Sequence, residues 1–439
     1  MQDLLSRLRT LDANIEHLPI NQMARDAGFV KRSPRKAGAR QWLRAICLLT
    51  ALPNRSFRSL GWLLGLIQAN CHSKQNVGKR INHCFNTFIQ EVLQKVAARL
   101  VSNPIAIKAD PALKIFNRII VQDSTIIGLP AHLAEAFPGS KNQTGKKTAG
   151  MRVQAFFDLL SESCLRFSIS PFTSNDQKAS ADILQIALPG DLVLRDLGYS
   201  SLTTFGLMKQ AGIDFLTRLR YGTRIFRKNG DSFDLLDELK DFGHLDIEVL
   251  VGAQTKLPVR LIAVTVPESV AAQRRRKARS DRDRRRNLSK EHLRLLGWTV
   301  LITTVTKQKL SADKLIRMYG LRWRIETLFK AWKSCFSFGH IPAYASAAFV
   351  SALVFARLLY VAVFQCLFQT LQREDSDKDK TVSPQKLASL IENLSAMELY
   401  SLIKAVPEDL FIATTLYHCR YEQRKRKHYY QILNDLSLG

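Results

Sequence analysis

Residues 319–333 read YGLRWRIETLFKAWK, the stretch that indicates the fold and the chemistry most directly. On an α-helix, at about 100° per residue, its polar and apolar side chains separate onto opposite faces. The apolar stripe predicts a helix packed on a core, with the polar row turned outward. A carboxylate among cations suits a metal-bound phosphate site, and a salt-bridged row on an ordinary surface helix is the open alternative. The polar row is Tyr319, Arg322, Glu326 and Lys333, and the apolar stripe is Leu321, Ile325, Leu328 and Trp332.

The charge balance points to a polyanionic partner. The chain has 439 residues with 65 Lys and Arg against 38 Asp and Glu, a net charge of +27. Such an excess favours nucleic acid over a membrane surface, and a merely basic soluble protein is the alternative. Seven scattered cysteines without a CxxC pair indicate neither a disulfide framework nor a zinc module. With no secretory signal pattern at the N-terminus, we expect a cytoplasmic protein. The apolar run 347–371, interrupted by Arg357 and Gln365, is interpreted as a buried helix rather than a membrane span.

Strand and helix signals alternate along the chain and predict an α/β fold. Residues 1–110 are expected to form a helical DNA-binding domain. Strands are expected at 119–121, ending at Asp123, at 152–160 and 165–170 as a pair, and at 192–194, ending at Asp196, before a helix at 201–211. We therefore divide the rest of the chain into a first core segment (115–214), a separate β-rich segment (215–305), a second core segment with the glutamate helix (306–371), and a linker with a basic helical tail (372–439).

Three basic stretches are candidates for contacts with nucleic acid. The block at 274–286, RRRKARSDRDRRR, is interpreted as a phosphate-contacting loop, with a solvated loop as the alternative. The stretch 72–82, HSKQNVGKRIN, fits either a DNA-recognition helix or an ordinary capped surface helix. The tail 419–430 interleaves cations with tyrosines, and its role stays undecided.

Three carboxylates are candidates for a catalytic metal site. Asp123 and Asp196 each follow a predicted strand, and Glu326 lies on the predicted helix. Converging at a sheet edge, they could hold two Mg²⁺ ions for an in-line phosphoryl transfer. Oxygen-only ligands favour Mg²⁺ or Mn²⁺ over zinc. A turn or helix cap is the alternative role for each aspartate taken alone.

These residues resemble the DDE transposases of bacterial insertion sequences, in the branch with a Tyr-Arg-Glu-Lys signature. Tyr319, Arg322, Glu326 and Lys333 meet the spacing of that signature, and VQDST and LRDLGY look like the motifs around the two catalytic aspartates. The resemblance covers about residues 115–345. It implies an RNase H-like catalytic core, interrupted by a largely β insertion between Asp196 and Glu326, which lie 130 positions apart.

The resemblance also implies roles for individual residues. Asp123, Asp196 and Glu326 would be the catalytic, metal-binding triad, while the DNA-contacting residues would be Tyr319, Arg322, Lys330, Lys333 and Trp298. In relatives a tryptophan of the insertion stacks on a flipped base during hairpin formation. Trp298 occupies a similar place, and packing in the core is its alternative role.

The function expected from the resemblance is cut-and-paste DNA transposition. The enzyme would bind the inverted-repeat ends of its element, cut them through a hairpin and join them to target DNA, as a homodimer in the synaptic complex. The residues themselves indicate only a Mg²⁺-dependent enzyme acting on DNA phosphodiesters. A nuclease of the same fold without strand transfer and a non-catalytic DNA-binding relative are the main alternatives. A structural basic protein would instead bind DNA without a metal requirement.

Overall fold

A computed structural model describes residues 18–32, 37–102, 113, 115–140, 147–280, 288–374, 382–392 and 405–420. The chain forms two compact units. The first unit comprises the described residues within Met1–Lys108, Asp123–Ser174 and Trp323–Tyr430. The second comprises the described residues within Ala109–Gln122 and Asn175–Arg322. The predicted mixed α/β class is confirmed.

Helices form the N-terminal part of the first unit, as the apolar periodicity predicts. Ser56 and Ser73 cap the third and fourth of them, each accepting a hydrogen bond from a backbone N–H three residues on. The stretch 72–82 therefore contains a short capped helix, which is compatible with both of its expected roles. The helices are α1 (Ile20–Asp26), α2 (Ala39–Leu49), α3 (Phe57–Gln68), α4 (Lys74–Arg80) and α5 (His83–Ser102).

The strands of the first unit come from the middle of the sequence. They are the C-terminal part of β1 (Ile119–Leu129), then β2 (Ala149–Asp158) and β3 (Ser163–Pro171), in the order β3-β2-β1. Strands β2 and β3 are antiparallel, with a register shift between Phe156 and Phe157. The predicted strand pair is therefore confirmed, with β2 beginning three residues earlier than expected.

The C-terminal part of the first unit is helical. Its helices are α11 (Trp323–Cys335), α12 (Ala347–Glu374), α13 (Pro384–Ile391) and α14 (Glu408–Cys419), and α12 packs against α2, α5 and β3. One described helix, spanning Ala347–Gln372, is long and apolar enough to cross a membrane, but 82% of its most apolar window is buried inside the protein. The expectation of a buried helix is confirmed.

Polar residues within α12 bond to the backbone around them. Arg357 donates to the carbonyls of Phe338 and His340, at 3.0 and 2.8 Å. Gln365 donates to the carbonyl of Glu162 and accepts from the N–H of Cys164. The two residues that interrupt the apolar run therefore satisfy the backbone of two turns, which explains how a core helix accommodates them.

The second unit is built on a mixed sheet in the order β1-β4-β5-β9-β8-β7-β6. The N-terminal part of β1 pairs in parallel with β4, and β4 pairs in parallel with β5. Strands β5 to β9 continue this sheet by antiparallel pairing, so the residues expected as a β-rich insertion extend the sheet that contains β4. The strands are β4 (Leu192–Arg195), β5 (Asp214–Arg218), β6 (Ile225–Phe226), β7 (Leu245–Val251), β8 (Leu257–Thr265) and β9 (Trp298–Thr303).

Helices connect these strands. They are α6 (Leu202–Gln210), α7 (Leu235–Phe242), α8 (Glu268–Arg279), α9 (Lys290–Leu295) and α10 (Ala312–Gly320). The helix predicted at 201–211 is confirmed as α6. The prediction of a loop at 274–286 is wrong for its first six residues, which lie on α8. Residues 281–287 lie outside the described residues. A run of cations extends a helix here because Arg and Lys have high helix propensity and the last turn favours positive charge.

Two further expectations are corrected. Residues 319–333 do not form one helix: α10 ends at Gly320, with Leu321 as its C-cap, and α11 begins at Trp323. The apolar stripe is nevertheless buried as predicted, because each of its four residues is at most 4% exposed. Asp123 does not end a strand either, since β1 continues to Leu129. The residues after Asp123, STIIGL, retain strand-forming β-branched side chains, which explains the longer strand.

Candidate active site

The second unit brings Asp196, Arg322 and Tyr319 together. Asp196 directly follows β4 and precedes a short 3₁₀ turn, so the predicted strand end is confirmed. Its side chain is 44% exposed and lies 3.9 Å from the Arg322 guanidinium, which is almost fully buried. The Asp196 carboxylate is thus accessible to a ligand from solvent and lies beside a positive charge.

Tyr319 lies beneath this group rather than on an outward face. The side chain is 5% exposed, and its hydroxyl donates to the carbonyl of Arg195 at 3.2 Å. The Arg218 guanidinium lies 5.6 Å from the centre of the tyrosine ring. Burial raises the pKa of the phenol above its usual value of 10, against the opposing effect of Arg218 and Arg322. The hydroxyl is therefore protonated at neutral pH and supports the residue that precedes Asp196.

A buried hydrogen-bond cluster lies next to the two aspartates in sequence. Arg195 donates to Gln122 Oε1 at 2.5 Å, to Ser180 O at 2.7 Å and to Ser180 Oγ at 2.6 Å. All three side chains are at most 1% exposed. Burial lowers the pKa of Arg195 to about 10, with Tyr199 and Asp182 opposing that effect. Gln122 directly precedes Asp123, and Arg195 directly precedes Asp196.

The strand register gives the two aspartates equivalent positions along their strands. Val121 of β1 lies beside Leu194 of β4 in the parallel pairing of the second unit. Asp123 and Asp196 each follow these partners by two residues. Because side chains alternate along a strand, the strand pattern assigns Gln122 and Arg195 to the face opposite their neighbouring aspartates.

Asp123 and Glu326 belong to the first unit and are both half-buried. The Asp123 carboxylate accepts from the Ser124 N–H at 2.8 Å, and Arg152 donates to Ser124 Oγ at 2.7 Å. Glu326 lies in the first turn of α11, where the helix dipole stabilises a negative charge. Both residues also take part in further interactions.

Two cations lie further along α11. Lys330 and Lys333 are both exposed. Partial burial of the Lys333 side chain lowers its pKa below the usual 10.5. Inward-facing Arg324, on the same helix, pairs with Glu162 at 2.8 Å, and both side chains are at most 2% exposed. The helix thus presents its lysines to solvent while an internal ion pair anchors its first turn.

Trp298 is half-buried at the start of β9. Its indole N–H donates to the carbonyl of Gly243 at 3.3 Å, and its own carbonyl accepts from Arg274 at 3.0 Å. Arg274 also donates to Thr299 Oγ1, so an arginine of the basic block braces this strand. These contacts fix the indole in the second unit through both its backbone and its ring.

The candidate metal ligands, Asp123, Asp196 and Glu326, offer only carboxylate oxygens, which suit a hard divalent cation. Within the described ranges, however, no group of three or more His, Cys, Asp or Glu side chains is close enough together to hold a metal ion. The oxygen donors nevertheless fit Mg²⁺ in kind.

Comparison with known proteins places the chain in a family. Residues 114–362, more than half of the chain, match the Transposase DDE domain family. The chain is 25% identical over 440 residues to the transposase for insertion sequence element IS231E of Bacillus thuringiensis subsp. finitimus, covering 94% of this chain and 90% of that protein. It is also 29% identical over 345 residues to the transposase for IS231C of Bacillus thuringiensis subsp. berliner, covering 73% and 71%.

A relative from another bacterial genus is also a transposase. The transposase for insertion sequence element IS1151 of Clostridium perfringens is 22% identical over 344 residues, covering 73% of this chain and 72% of that protein. The chain belongs to the DDE transposases of insertion sequences.

Sequence reasoning missed the cluster of Gln122, Ser180 and Arg195. A signal for part of it was present, because Arg195 is a charged residue at the end of an otherwise apolar strand, directly before a candidate aspartate. Ser180 could not be found in this way, since its contact with Arg195 joins residues 15 apart through a 3₁₀ segment without a distinctive motif.

Proposed function

We propose that this protein is a DNA transposase that binds the inverted-repeat ends of its insertion sequence, cuts them and joins them to target DNA. The observation that supports this best is the equivalent position of Asp123 and Asp196 in the β1–β4 register, in a chain of the DDE family. We further propose that the sheet around β1 and β4 is an RNase H-like core and that the chain is of the Tyr-Arg-Glu-Lys branch.

Asp123, Asp196 and Glu326 are the proposed metal ligands. When bound, Mg²⁺, or Mn²⁺ as a substitute, would supply Lewis-acid activation and charge neutralisation for attack on a phosphodiester. Glu326 lies in the first turn of α11, where the helix dipole favours a bound carboxylate, and the Asp123 carboxylate accepts a hydrogen bond from the Ser124 N–H.

Cationic side chains are proposed to hold the DNA backbone. Lys330 and Lys333 are exposed on the helix that contains Glu326 and can each reach phosphate oxygens. Arg322 lies beside Asp196, where its positive charge can bind a phosphate or orient the carboxylate. In this proposal Tyr319 acts mainly through the Arg195 carbonyl, and Trp298 is available for a base only on the exposed part of its ring.

The proposed route includes a hairpin at the excised end and a homodimer in the synaptic complex, both of which rest on family likeness. The freed 3′-hydroxyl would attack the phosphodiester of the opposite strand at the element's end to form the hairpin, with the 3′-oxygen of the flanking DNA as the leaving group. A second hydrolysis would regenerate the 3′-hydroxyl for attack on target DNA. Each step either transfers a phosphodiester from one hydroxyl to another or hydrolyses it with water. No external energy source is therefore needed.

The test is cleavage and joining of a labelled duplex that carries the element's own terminal repeats, in Mg²⁺. We expect wild-type protein to give both cut and joined products, and Glu326→Gln to give neither while it still binds the duplex. Glu135→Gln, an exposed glutamate of the first unit, is the matched control and should leave both products unchanged. Cut DNA without joined DNA would instead indicate a nuclease of the same fold.

A further inference from the structure

A cavity in the first unit lies outside the candidate active site. Its volume is about 670 Å³, and it opens where the chain before α3 meets the segment between α11 and α12. The basic side chains that line it are Arg55, Arg58, Lys74 and His340, with Tyr344 at the rim. No carboxylate side chain is among the described residues that line it. The cavity is therefore positively charged, and its volume is within the range of pockets that take small molecules.

Two guanidinium groups are buried near this cavity. Arg55 is 7% exposed, Arg357 is 2% exposed, and both donate to the carbonyl of His340, at 3.1 and 2.8 Å. Their other hydrogen bonds go to the carbonyls of Thr50 and Phe338. Among the described residues, no Asp or Glu pairs with either arginine. Burying a charge without a partner is costly, so two adjacent buried cations indicate a place where an anion binds.

The electrostatics of the two arginines agree with this geometry. Burial, together with repulsion from Arg55, lowers the pKa of Arg357 to about 9. Burial also lowers the pKa of His340 below 6.5, and both arginines add to that effect. The positive charge of the two arginines thus acts in the same direction as burial, and an anion in the cavity would offset that charge.

The rim of the cavity suits a nucleotide rather than a bare ion. Tyr344 is 99% exposed, which is unusual for a large aromatic side chain of a folded protein. Arg58 and Lys74 are both exposed, and the first turn of α3, a helix of 12 residues capped by Ser56, adds positive potential from its backbone N–H groups. Phe57 and Phe349, with ring centres 4.6 Å apart, form an apolar wall.

We propose that this cavity binds one phosphate of a DNA backbone, through Arg55, Arg58 and Lys74, and that an adjoining unpaired nucleotide stacks on Tyr344. Aromatic side chains beside cations are how proteins hold single-stranded DNA without reading its sequence. The identity of the polymer rests on the proposed function, whereas the presence of an anion site does not. A strand that frays or is displaced at a DNA end would supply such a nucleotide.

The first experiment measures the affinity of the full-length chain for a fluorescent 20-nucleotide single strand, over a series of salt concentrations. We expect Arg58→Ala with Lys74→Ala to weaken binding roughly tenfold or more and to reduce the salt slope by about 0.7, because the contact with one phosphate is lost. The matched control is Arg25→Ala with Lys31→Ala, which removes the same charge from exposed residues of the first unit outside the cavity. Equal losses in both double variants would overturn the proposal.

The second experiment compares the single strand with a duplex of the same sequence. We expect Tyr344→Ala to weaken single-strand binding roughly fivefold or more and to change duplex binding little, because only an unpaired base can stack on the ring. Tyr417→Ala is the control, since Tyr417 is 79% exposed in the same unit. A similar loss for single strand and duplex would overturn the stacked nucleotide.

A third arm separates DNA from free phosphate. The unfolding temperature of the wild-type chain is measured with inorganic phosphate and with the single strand, at equal phosphate concentration. An equal rise in unfolding temperature with both would indicate a site for the free anion and overturn the DNA assignment. Parallel DNA cleavage assays keep the two proposals apart. A wild-type chain that binds the single strand through the cavity and gives no cut or joined products would contradict the proposed function and leave this site intact.

Discussion

Arg195 donates a hydrogen bond of 2.5 Å to Gln122 Oε1, and both side chains are fully buried. These residues directly precede Asp196 and Asp123. The bond joins β4 to β1 between positions that continue the Val121–Leu194 pairing. A slip of one residue along either strand would invert which side chains face the core. The buried Arg195–Gln122 contact therefore helps to fix the register on which the equivalence of the two aspartates depends.

The first prediction concerns Arg195. Replacing it by Met leaves the buried Gln122 Oε1 and Ser180 O without their donor, and each orphaned group costs about 1–3 kcal/mol. We expect the Arg195→Met chain to unfold at a lower temperature and a lower urea concentration than the wild type. Thermal and urea melts measure both midpoints. Arg220→Met, at an exposed position of the same unit, should unfold like the wild type. Equal midpoints for the two variants would show that the cluster adds no stability.

The second prediction separates two roles of Tyr319. Its hydroxyl is buried and donates to the Arg195 carbonyl, so Tyr319→Phe should cost about 1 kcal/mol of stability. Duplex binding, measured by fluorescence anisotropy, should stay within twofold of wild type, whereas Lys333→Ala should weaken it. A loss of DNA affinity in Tyr319→Phe as large as that in Lys333→Ala would assign the hydroxyl to a phosphate after all.

The third prediction tests the buried Arg324–Glu162 ion pair, whose atoms lie 2.8 Å apart. Removing one partner leaves an uncompensated buried charge, so Arg324→Met should destabilise the chain by about 3–5 kcal/mol. Adding Glu162→Gln to that variant should recover part of the loss, because the stranded charge disappears. Urea unfolding of the wild type, both single variants and the double variant measures the coupling.

A surface pair provides the comparison for that cycle. Arg275 and Glu268 lie 2.6 Å apart, but Glu268 is 76% exposed and solvent screens the interaction. Arg275→Met should therefore cost less than about 1 kcal/mol. A loss as large as that of Arg324→Met would mean that burial does not distinguish the two pairs.

The fourth prediction is a pH dependence. Burial, Arg55 and Arg357 lower the pKa of His340 in the folded chain below its usual 6.5. The unfolded chain therefore binds the proton more readily, and this contribution to stability is lost as pH falls through 6.5 toward the folded pKa. We expect the unfolding temperature to fall less between pH 7.5 and 5 in His340→Gln than in wild type. His83→Gln, at an exposed position on α5, should keep the wild-type pH profile.

Local sequence patterns predicted those elements whose causes are local. The antiparallel pair β2–β3, the buried α12 and helix α6 follow from period-two and period-3.6 patterning over short stretches. Helix α8 was missed because a run of cations was interpreted as self-repelling, while Arg274 and Arg275 find partners at Trp298 and Glu268. Glu268 lies seven residues before Arg275 and Trp298 lies 24 residues after Arg274, so the run of cations by itself did not contain these partners.

The sequence by itself determined the candidate residues: the carboxylates Asp123, Asp196 and Glu326 with their flanking motifs, the cationic excess, and the family that the comparisons confirm. These depend on residue type and spacing, which the chain displays directly. Only the tertiary structure decided that the helix breaks after Gly320, that Tyr319 is buried, and that Arg55 and Arg357 share the His340 carbonyl. Such contacts arise when segments far apart in sequence compete for the same buried space, and spacing along the chain does not encode that outcome.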